Sequence, residues 1–440
     1  MKIQPVKGTR DFYPPQMAVR NWIIDGWKRV SIRNGFEEYD GPIFEYLDMY
    51  QIKSGEEIVE QLFSFEDRGG RKLAIRPEIT PTLARMVNQQ INSLPRPIKW
   101  FSVPRLCRAE RPQKGRLREF FQWNIDIIGV ENELWKIFAD AEVIFTTVDY
   151  LRSVGLTSDD VNVKISSREL LRAYLISLGI PEERLESIYV LLDKKAKLPP
   201  DTFEEILKEH IRDKDAAEKI LDFMSVRCAF DQMVKASVGD PQGAFAEAVS
   251  ELDMLLKDLK AMGIGEYCEF DPSIVRGLAY YTGMVFEVHA TTGELRAICG
   301  GGRYDNLLRD FGGPAVSATG MGMGDCVLEI LLNEKGLLDN QVPKRELDYF
   351  VVAIGPGAQG EDVFRIIAEL RSKGYSVNFS YKFGFAKQMK EAAAQNAKKC
   401  IIIGLDELKN DEIGVKYMAT GKQDSFGVEE FLSRLNSKED

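Results

Sequence analysis

Histidine is nearly absent from this chain. Only His210 and His289 occur among 440 residues, so neither a histidine-based triad nor a histidine-rich metal site is expected. His289, in the apolar strand-like run MVFEVH, reads as structural. The six cysteines (Cys107, Cys228, Cys268, Cys299, Cys326 and Cys400) are scattered without a Cys-x-x-Cys pair, which excludes the usual zinc spacings. No apolar run approaches the ~20 residues a membrane helix needs. The amino terminus, MKIQPVKGTRDFYPP, has neither an apolar signal core nor an Arg/Ser-rich transit pattern. A cytoplasmic protein with no membrane partner is therefore expected. There is also no overall excess of positive charge, since 58 Lys and Arg face 68 Asp and Glu for a net charge of -10. Any affinity for a polyanion must then be local.

One hairpin is locally basic. In FSVPRLCRAERPQKGRLREFFQWNIDIIG, residues 101–129, the cations Arg105, Arg108, Arg111, Lys114, Arg116 and Arg118 are answered nearby only by Glu110 and Glu119. Arginine presents a planar fork of donors to phosphate oxygens and stays charged at any working pH. The following run, Phe120, Phe121, Trp123, Ile125, Ile127 and Ile128, predicts a buried strand that fixes the base of the loop, with Gln122 and Asp126 alternating into a cavity.

The length suggests roughly three domains of ~150 residues. Residues 1 to about 165 mix helices and strands, and 270–333 return to strand-and-glycine chemistry. Between them, about 168–262, apolar residues such as Leu170, Leu171, Tyr174 and Leu175 recur at helical spacing and predict a helical insertion. Residues 334–348 read as a linker. From 349 to 440 strands and helices alternate, which predicts a small, largely parallel sheet.

Other tracts carry possible chemistry. LAIRPEIT, 73–80, ends a strand in Glu78 and Thr80, whose oxygens can accept hydrogen bonds from an ammonium group; a capped turn with Glu78 paired to Arg76 fits equally well. RGLAYYTGMVFE, 276–287, places an arginine before two tyrosines. CGGGRYDNLLRDFGG, 299–313, and TGMGMGD, 319–325, supply glycines where backbone must pass close to a ligand. Neither is a phosphate-binding Walker loop, and Gly320, Gly322 and Gly324 do not match dinucleotide spacing.

Taken in order, and with Pro42 in GFEEYDGPIFE at 35–45 as the motif 1 proline, these tracts resemble the histidyl-tRNA synthetase family of class II aminoacyl-tRNA synthetases. Arg108-Ala-Glu110-Arg111 resembles motif 2, and RGLAYY resembles the histidyl signature. The resemblance implies an α/β multidomain chain, with an antiparallel-sheet class II catalytic core over 1–333 that carries the helical insertion, and a small C-terminal α/β anticodon-binding domain over 349–440. It implies ATP-dependent ligation of L-histidine to tRNA(His) through histidyl-adenylate, with Mg²⁺ on the phosphates, by a homodimer. Arg108 and Arg276 would be catalytic at the α-phosphate. Glu78, Thr80 and Gln122 would hold the substrate ammonium, while Asp126, Tyr280 and Tyr281 would face the imidazole. ATP would be held by Arg108, Glu110, Arg116, Arg118, Arg303, Gly322 and Gly324, and the tRNA acceptor end by Arg111, Gln113, Lys114 and Gly115. No protein ligands to a metal are implied.

The chain departs from the pattern at Val327, where motif 3 commonly has the γ-phosphate arginine, and at Ala279, Phe121 and Asp126, where aspartate, histidine and glutamate are common. Arg116 and Arg118 are expected to replace the missing cation in preference to Arg303. The competing implication is the synthetase-like regulatory subunit of ATP phosphoribosyltransferase. Val327 favours it, and the carboxy-terminal domain speaks against it.

Overall fold

The computed structural model describes residues 3–51, 62–195, 198–211, 213–225, 243–276, 280–293, 295–355 and 360–435. Gly277, Leu278 and Ala279 of the RGLAYY tract, and Cys228, lie outside them. The chain divides into two units, Met1–Val342 and Pro343–Asp440.

The first unit is built on one large sheet. Its strands are β1 (Glu37–Glu38), β5 (Ile98–Ser102), β6 (Arg105–Cys107), β7 (Glu119–Ile128), β8 (Val161–Ser167), β9 (Cys268–Phe270), β10 (Met284–Ala290), β11 (Cys299–Arg303) and β12 (Ala318–Gly324). A small second sheet holds β2 (Phe44–Tyr46), β4 (Lys72–Ile75) and β3 (Phe63–Glu66). The large sheet runs β1-β5-β7-β12-β11-β10-β8-β9, with β6 paired to β7. Its interior pairs are antiparallel, and only the end pairs β1–β5 and β8–β9 are parallel.

Alternation along β7 divides the two faces. Trp123, Ile125 and Ile127 point to one side, where they pack with the helices Pro14–Arg33 and Glu133–Ser153. Trp123 stacks 6.2 Å from Trp27, and its indole N–H donates to Ser31 Oγ at 2.8 Å. Proline at the start of the first helix and Asn132 capping the second, where it accepts from the Leu134 and Trp135 N–H groups, explain where both begin. Gln122, Asn124 and Asp126 point to the opposite face. A second apolar cluster covers part of that face with Ile79, Leu83, Tyr280, Tyr281, Val285 and Tyr304.

The helical insertion spans Arg168–Ser177, Leu185–Leu192, Pro200–Ile211, Lys214–Phe223 and Ala244–Ala261 among the described residues. Its apolar side, including Leu171, Ile188, Leu207, Ile220 and Leu252, is continuous with the core under the large sheet.

Arg303 falls on the other side of the sheet from the one its expected role requires. β11 pairs Gly302 with Gly320 and Arg303 with Thr319. Successive residues of a strand face opposite ways, so Arg303 enters the helix-covered face and pairs with Asp140 at 2.5 Å. Both residues are buried, at 7% and 1% exposure. Tyr304, the next residue, points into the cleft instead. Arg303 therefore leaves the ATP-binding set.

In the second unit the sheet runs β14 (Val377–Phe379), β13 (Leu347–Ile354), β15 (Ala397–Gly404), β16 (Glu412–Tyr417), β17 (Gln423–Gly427). The first three are parallel and joined through the helices Glu361–Ser372 and Phe385–Ala394, whereas β16 and β17 add antiparallel. The expected parallel character holds for half of the sheet, and β17 was not anticipated. The stretch read as a linker contains the helix Leu337–Gln341 and the start of β13.

Removing one partner of a buried ion pair leaves the other charge uncompensated. Arg303→Ala should destabilise the first unit by about 3–5 kcal/mol, read as a lower denaturant midpoint for its unfolding. Unchanged stability would show that the pair does not matter to the fold.

Candidate active site

Four glycines form the floor of the cleft. Gly302 pairs with Gly320 and Gly300 with Gly322, and across β7 Gly320 meets Asp126 while Gly322 meets Asn124. Side chains at these positions would collide with their neighbours. A Cβ on Gly322 would lie 2.9 Å from Gln122 Cδ, and one on Gly302 2.9 Å from Tyr281 Cδ1. One on Gly320 would strike Asp126 Oδ1, and one on Gly300 the Arg276 guanidinium. The glycines therefore let long polar side chains lie flat over the sheet. Gly324, with open space above it, passes into the helix Asp325–Glu334.

At one end of this floor the polar groups are buried. Asp126, 3% exposed, accepts a hydrogen bond on Oδ1 from the Tyr304 hydroxyl, and its Oδ2 has no partner. Burial pushes its carboxyl up to about 7, although the Tyr304 hydrogen bond works against the rise. Tyr304 meets Tyr280 and Tyr281 edge-on beside it, and those two rings are tilted to each other, with centroids 4.9 to 6.5 Å apart. Glu78 is also buried, and burial raises its carboxyl despite the Arg108 charge and a hydrogen bond from Tyr280. Glu78 does not pair with Arg76, which instead donates to Asp40 at 2.7 Å and to the Gly41 and Arg105 carbonyls. That removes the capped-turn alternative. Thr80 opens the helix Thr80–Gln90, two residues beyond Glu78.

At the other end lie the cations. Arg276 has a left-handed backbone, φ 59°, and its Nη1 donates to Glu287 Oε1 at 2.7 Å. Glu287 also faces His289 Nε2 at 2.9 Å. Burial opposes ionisation of Glu287, but His289 and Arg276 together hold it down to about 2. Arg108 donates through Nε to the Pro77 carbonyl at 3.0 Å, and its guanidinium lies 5.3 Å from the Phe120 ring centre.

The hairpin is held down on several sides. Arg118 donates its N–H to the Gly8 carbonyl at 2.8 Å and its Nε to the Glu110 carbonyl at 3.0 Å. Arg116 is ion-paired with the buried Glu110 carboxylate. Gly115 sits on Val327, whose Cγ2 would lie 2.9 Å from an added Cβ. At the tip, Lys114 pairs with Glu334 at 3.1 Å, Gln113 accepts from Arg296, and Arg111 is exposed. Arg10 ties the amino-terminal segment to Asp325 at 2.5 Å and Glu329 at 3.3 Å, and Asp325 accepts the Phe121 N–H.

The structure thus brings Glu78, Gln122, Asp126, Tyr280, Tyr281 and Arg276 around one glycine floor, and the hairpin cations stand at its edge. Tyr304 and Glu287 were missing from the expected site. Tyr304 could have been found from strand alternation two residues after Gly302; the pairing of Glu287 with Arg276 has no signal in the sequence.

A largely antiparallel sheet with a glycine floor, an arginine hairpin on its edge strand and a helix leaving its last glycine strand defines the class II aminoacyl-tRNA synthetases. The family model of histidyl-tRNA synthetase matches residues 8–324, and that of an anticodon-binding domain matches 348–438. The chain belongs to the histidyl-tRNA synthetase family. It is 40% identical to the chloroplastic/mitochondrial histidine–tRNA ligase of Arabidopsis thaliana over 422 residues, which cover 96% of this chain and 84% of that protein. It is 39% identical to the histidine–tRNA ligase of Opitutus terrae, over 95% of this chain and 94% of that protein. Among solved structures it resembles histidyl-tRNA synthetase from Nostoc, with TM-score 0.79, 25% identity, and coverage of 99% of this chain and 100% of that one.

Asp126 yields a test of the buried end. Its folded carboxyl titrates near 7 against an ordinary 3.8, so above pH 4 the unfolded chain has released a proton that the native chain still holds. Stability should fall through this group as pH rises from about 4 to 7, by on the order of a few kcal/mol. Asp126→Asn should lose that component, so the difference between denaturation curves of the two proteins at pH 5 and pH 7.5 isolates it. A difference independent of pH would remove Asp126 as a group protonated by burial.

Proposed function

We propose that this chain ligates L-histidine to tRNA(His) at the expense of ATP. The observation that carries the reading is the unpartnered Asp126 Oδ2, buried beside Tyr281 and Tyr304 at the closed end of a floor without side chains. A neutral imidazole offers one donor and one acceptor nitrogen. Asp126 as carboxylate would accept from the first, and the Tyr281 hydroxyl would donate to the second, with Tyr280 as a wall. An analogue lacking either nitrogen would leave a buried polar group unpaired, at roughly 1–3 kcal/mol. Glu78, Thr80 and Gln122 would take the ammonium group.

In the first step a histidine carboxylate oxygen bonds to the α-phosphorus and the bond to pyrophosphate breaks. Arg108 and Arg276 would meet the charge that develops on the α-phosphoryl oxygens. In the second step a hydroxyl of the terminal tRNA ribose attacks the acyl carbon and AMP leaves. The triphosphate tail would lie under the hairpin against Arg116 and Arg118, over Gly322 and Gly324, with these arginines in place of a cation at Val327, and Glu110 would contact ATP away from the tail. Among the described residues no three acidic, histidine or cysteine side chains cluster to hold a metal. Mg²⁺ would be carried by the nucleotide, with phosphate oxygens and water as ligands, where it would neutralise tail charge. Arg111, Gln113, Lys114 and Gly115 would meet the acceptor end, for which the Lys114 and Gln113 contacts must open.

Two further parts of the proposal rest on exposed surface. The second unit presents Tyr381 and Phe383, 84% and 73% exposed, with Phe385 nearby and Lys382 and Lys387 between and beyond them. Aromatic rings and cations in alternation suit unpaired RNA bases, which agrees with anticodon binding here. Ile43, Phe44, Tyr46 and Phe65 expose apolar surface on the small sheet next to Pro42, and this supports a homodimer. A cytoplasmic location belongs to the same proposal; among the described residues no helix is long and apolar enough to cross a membrane. The regulatory-subunit reading is not favoured, since ligases match the chain nearly end to end and the anticodon-binding module is present.

The test is histidine-dependent exchange of pyrophosphate into ATP, followed by charging of tRNA(His). Both should occur, and Arg276→Ala should slow exchange on the order of 10²–10³-fold with the fold intact. Absence of exchange and charging in the wild-type protein would sink the proposal. Tyr381→Ala with Phe383→Ala should raise the KM for tRNA on the order of tenfold or more, since stacking contributes roughly 1–3 kcal/mol per base, and leave exchange untouched. Equal charging kinetics would take the aromatic pair out of RNA binding.

A further inference from the structure

Arg276 holds a left-handed backbone conformation that residues with a Cβ rarely adopt, φ 59°. Such an outlier persists only where its surroundings over-determine it. What holds it here is another arginine, 108 residues away in sequence. Arg168 donates through Nη2 to the Arg276 carbonyl at 2.6 Å and through Nε to the Val275 carbonyl at 3.2 Å. Its own N–H donates to the Gly283 carbonyl at 2.9 Å, at the far end of the same signature loop. One residue therefore grips both limbs of the loop that carries Arg276.

The opposite side of the same guanidinium faces the helical insertion. Its centre lies 4.5 Å from the Tyr189 ring centre, and Nη1 is 3.8 Å from Glu186 Oε2. Both partners sit on the helix Leu185–Leu192. Arg168 is itself the first residue of the insertion, on a helix capped by Ser167 at the end of β8. Buried arginine is costly unless its donors are used, and here two of them are used on the Val275 and Arg276 carbonyls.

We infer that Arg168 is the positioning residue for Arg276, and that through Tyr189 the seating of the helical insertion sets where the Arg276 guanidinium lies over the cleft. The Arg276 side chain is held by Glu287 and Tyr281, and its backbone by Arg168. With Arg168 gone, the tip can still pair with Glu287 and Tyr281, but the carbonyls are released and the backbone can relax out of the left-handed region. The insertion then loses its mechanical connection to the reacting phosphate. This inference rests on the proposed role of Arg276 in adenylate formation.

The experiment is pyrophosphate exchange by the full-length protein carrying Arg168→Met, Arg168→Lys, Arg276→Ala or Arg168→Met with Arg276→Ala. Arg168→Met should lower turnover on the order of 10²-fold, the scale of a misplacement of about 1 Å, while the KM values for ATP and histidine stay within about threefold. Arg168→Lys, able to reach one carbonyl, should recover part of the rate. The double variant should be no slower than Arg276→Ala alone, because both losses act through one guanidinium. Should Arg168→Met fail to fold, Tyr189→Leu removes the insertion side of the contact and must show a smaller loss that again disappears in the Arg276→Ala background. Losses that multiply in the double variant, or a raised KM with unchanged turnover, would overturn the inference. If Arg276→Ala by itself leaves exchange unchanged, the reading of Arg276 fails first and this inference falls with it.

Discussion

The cleft depends on backbone register between two strands whose cleft-facing positions, Gly300, Gly302, Gly320 and Gly322, carry no side chains. Because β11 and β12 put Gly300 with Gly322 and Gly302 with Gly320 on one face, the polar side chains of β7 and of the Arg276 loop can lie across the sheet instead of standing up from it. Hydrogen bonds of the ladder supply the rigidity, and the absence of Cβ atoms supplies the room. A one-residue slip of β12 would place Met321 and Met323 in the cleft, and one of β11 would place Cys299 and Arg303 there, emptying the core below. Substrate geometry and core packing are therefore set by the same pairing.

The two ends of the cleft apply opposite electrostatic rules. Where Asp126 and Glu78 lie, burial outweighs the nearby hydrogen bonds and charge and raises both carboxyls above their ordinary values. Where Glu287 lies, Arg276 and His289 outweigh burial and keep the carboxylate charged. The two regions touch, since the Arg108 charge acts on Glu78 and Arg276 is hydrogen-bonded to Tyr281. The hairpin closes the second region, and Val327 beneath Gly115 gives it an apolar seat.

Much of this was legible in the residues. Alternation in β7 placed Gln122 and Asp126 together on a cavity side, the local charge excess marked the hairpin, and helical periodicity marked the insertion. Arg303 was misassigned because a strand reading CGGGR offers no side-chain alternation from which to fix its phase; only the pairing with β12 settles which way the first large residue points. Tyr304, two residues beyond Gly302, follows once that phase is fixed. β17 escaped because QDSFG carries little apolar alternation, and its pairing to β16 is supplied by the turn before it. The grip of Arg168 on Arg276 could not be read at all, since it joins side chain to backbone across the whole insertion.

The glycine floor also constrains what evolution can do with this cleft. A surface without side chains offers nothing to substitute gradually, because the smallest addition at Gly300 or Gly320 already meets a neighbour. Variation in substrate preference is confined to the walls, to positions such as Asp126, Tyr281 and Tyr304, and to the parts that bear on them from behind. The floor is inherited whole or lost whole, whereas the walls can drift one residue at a time.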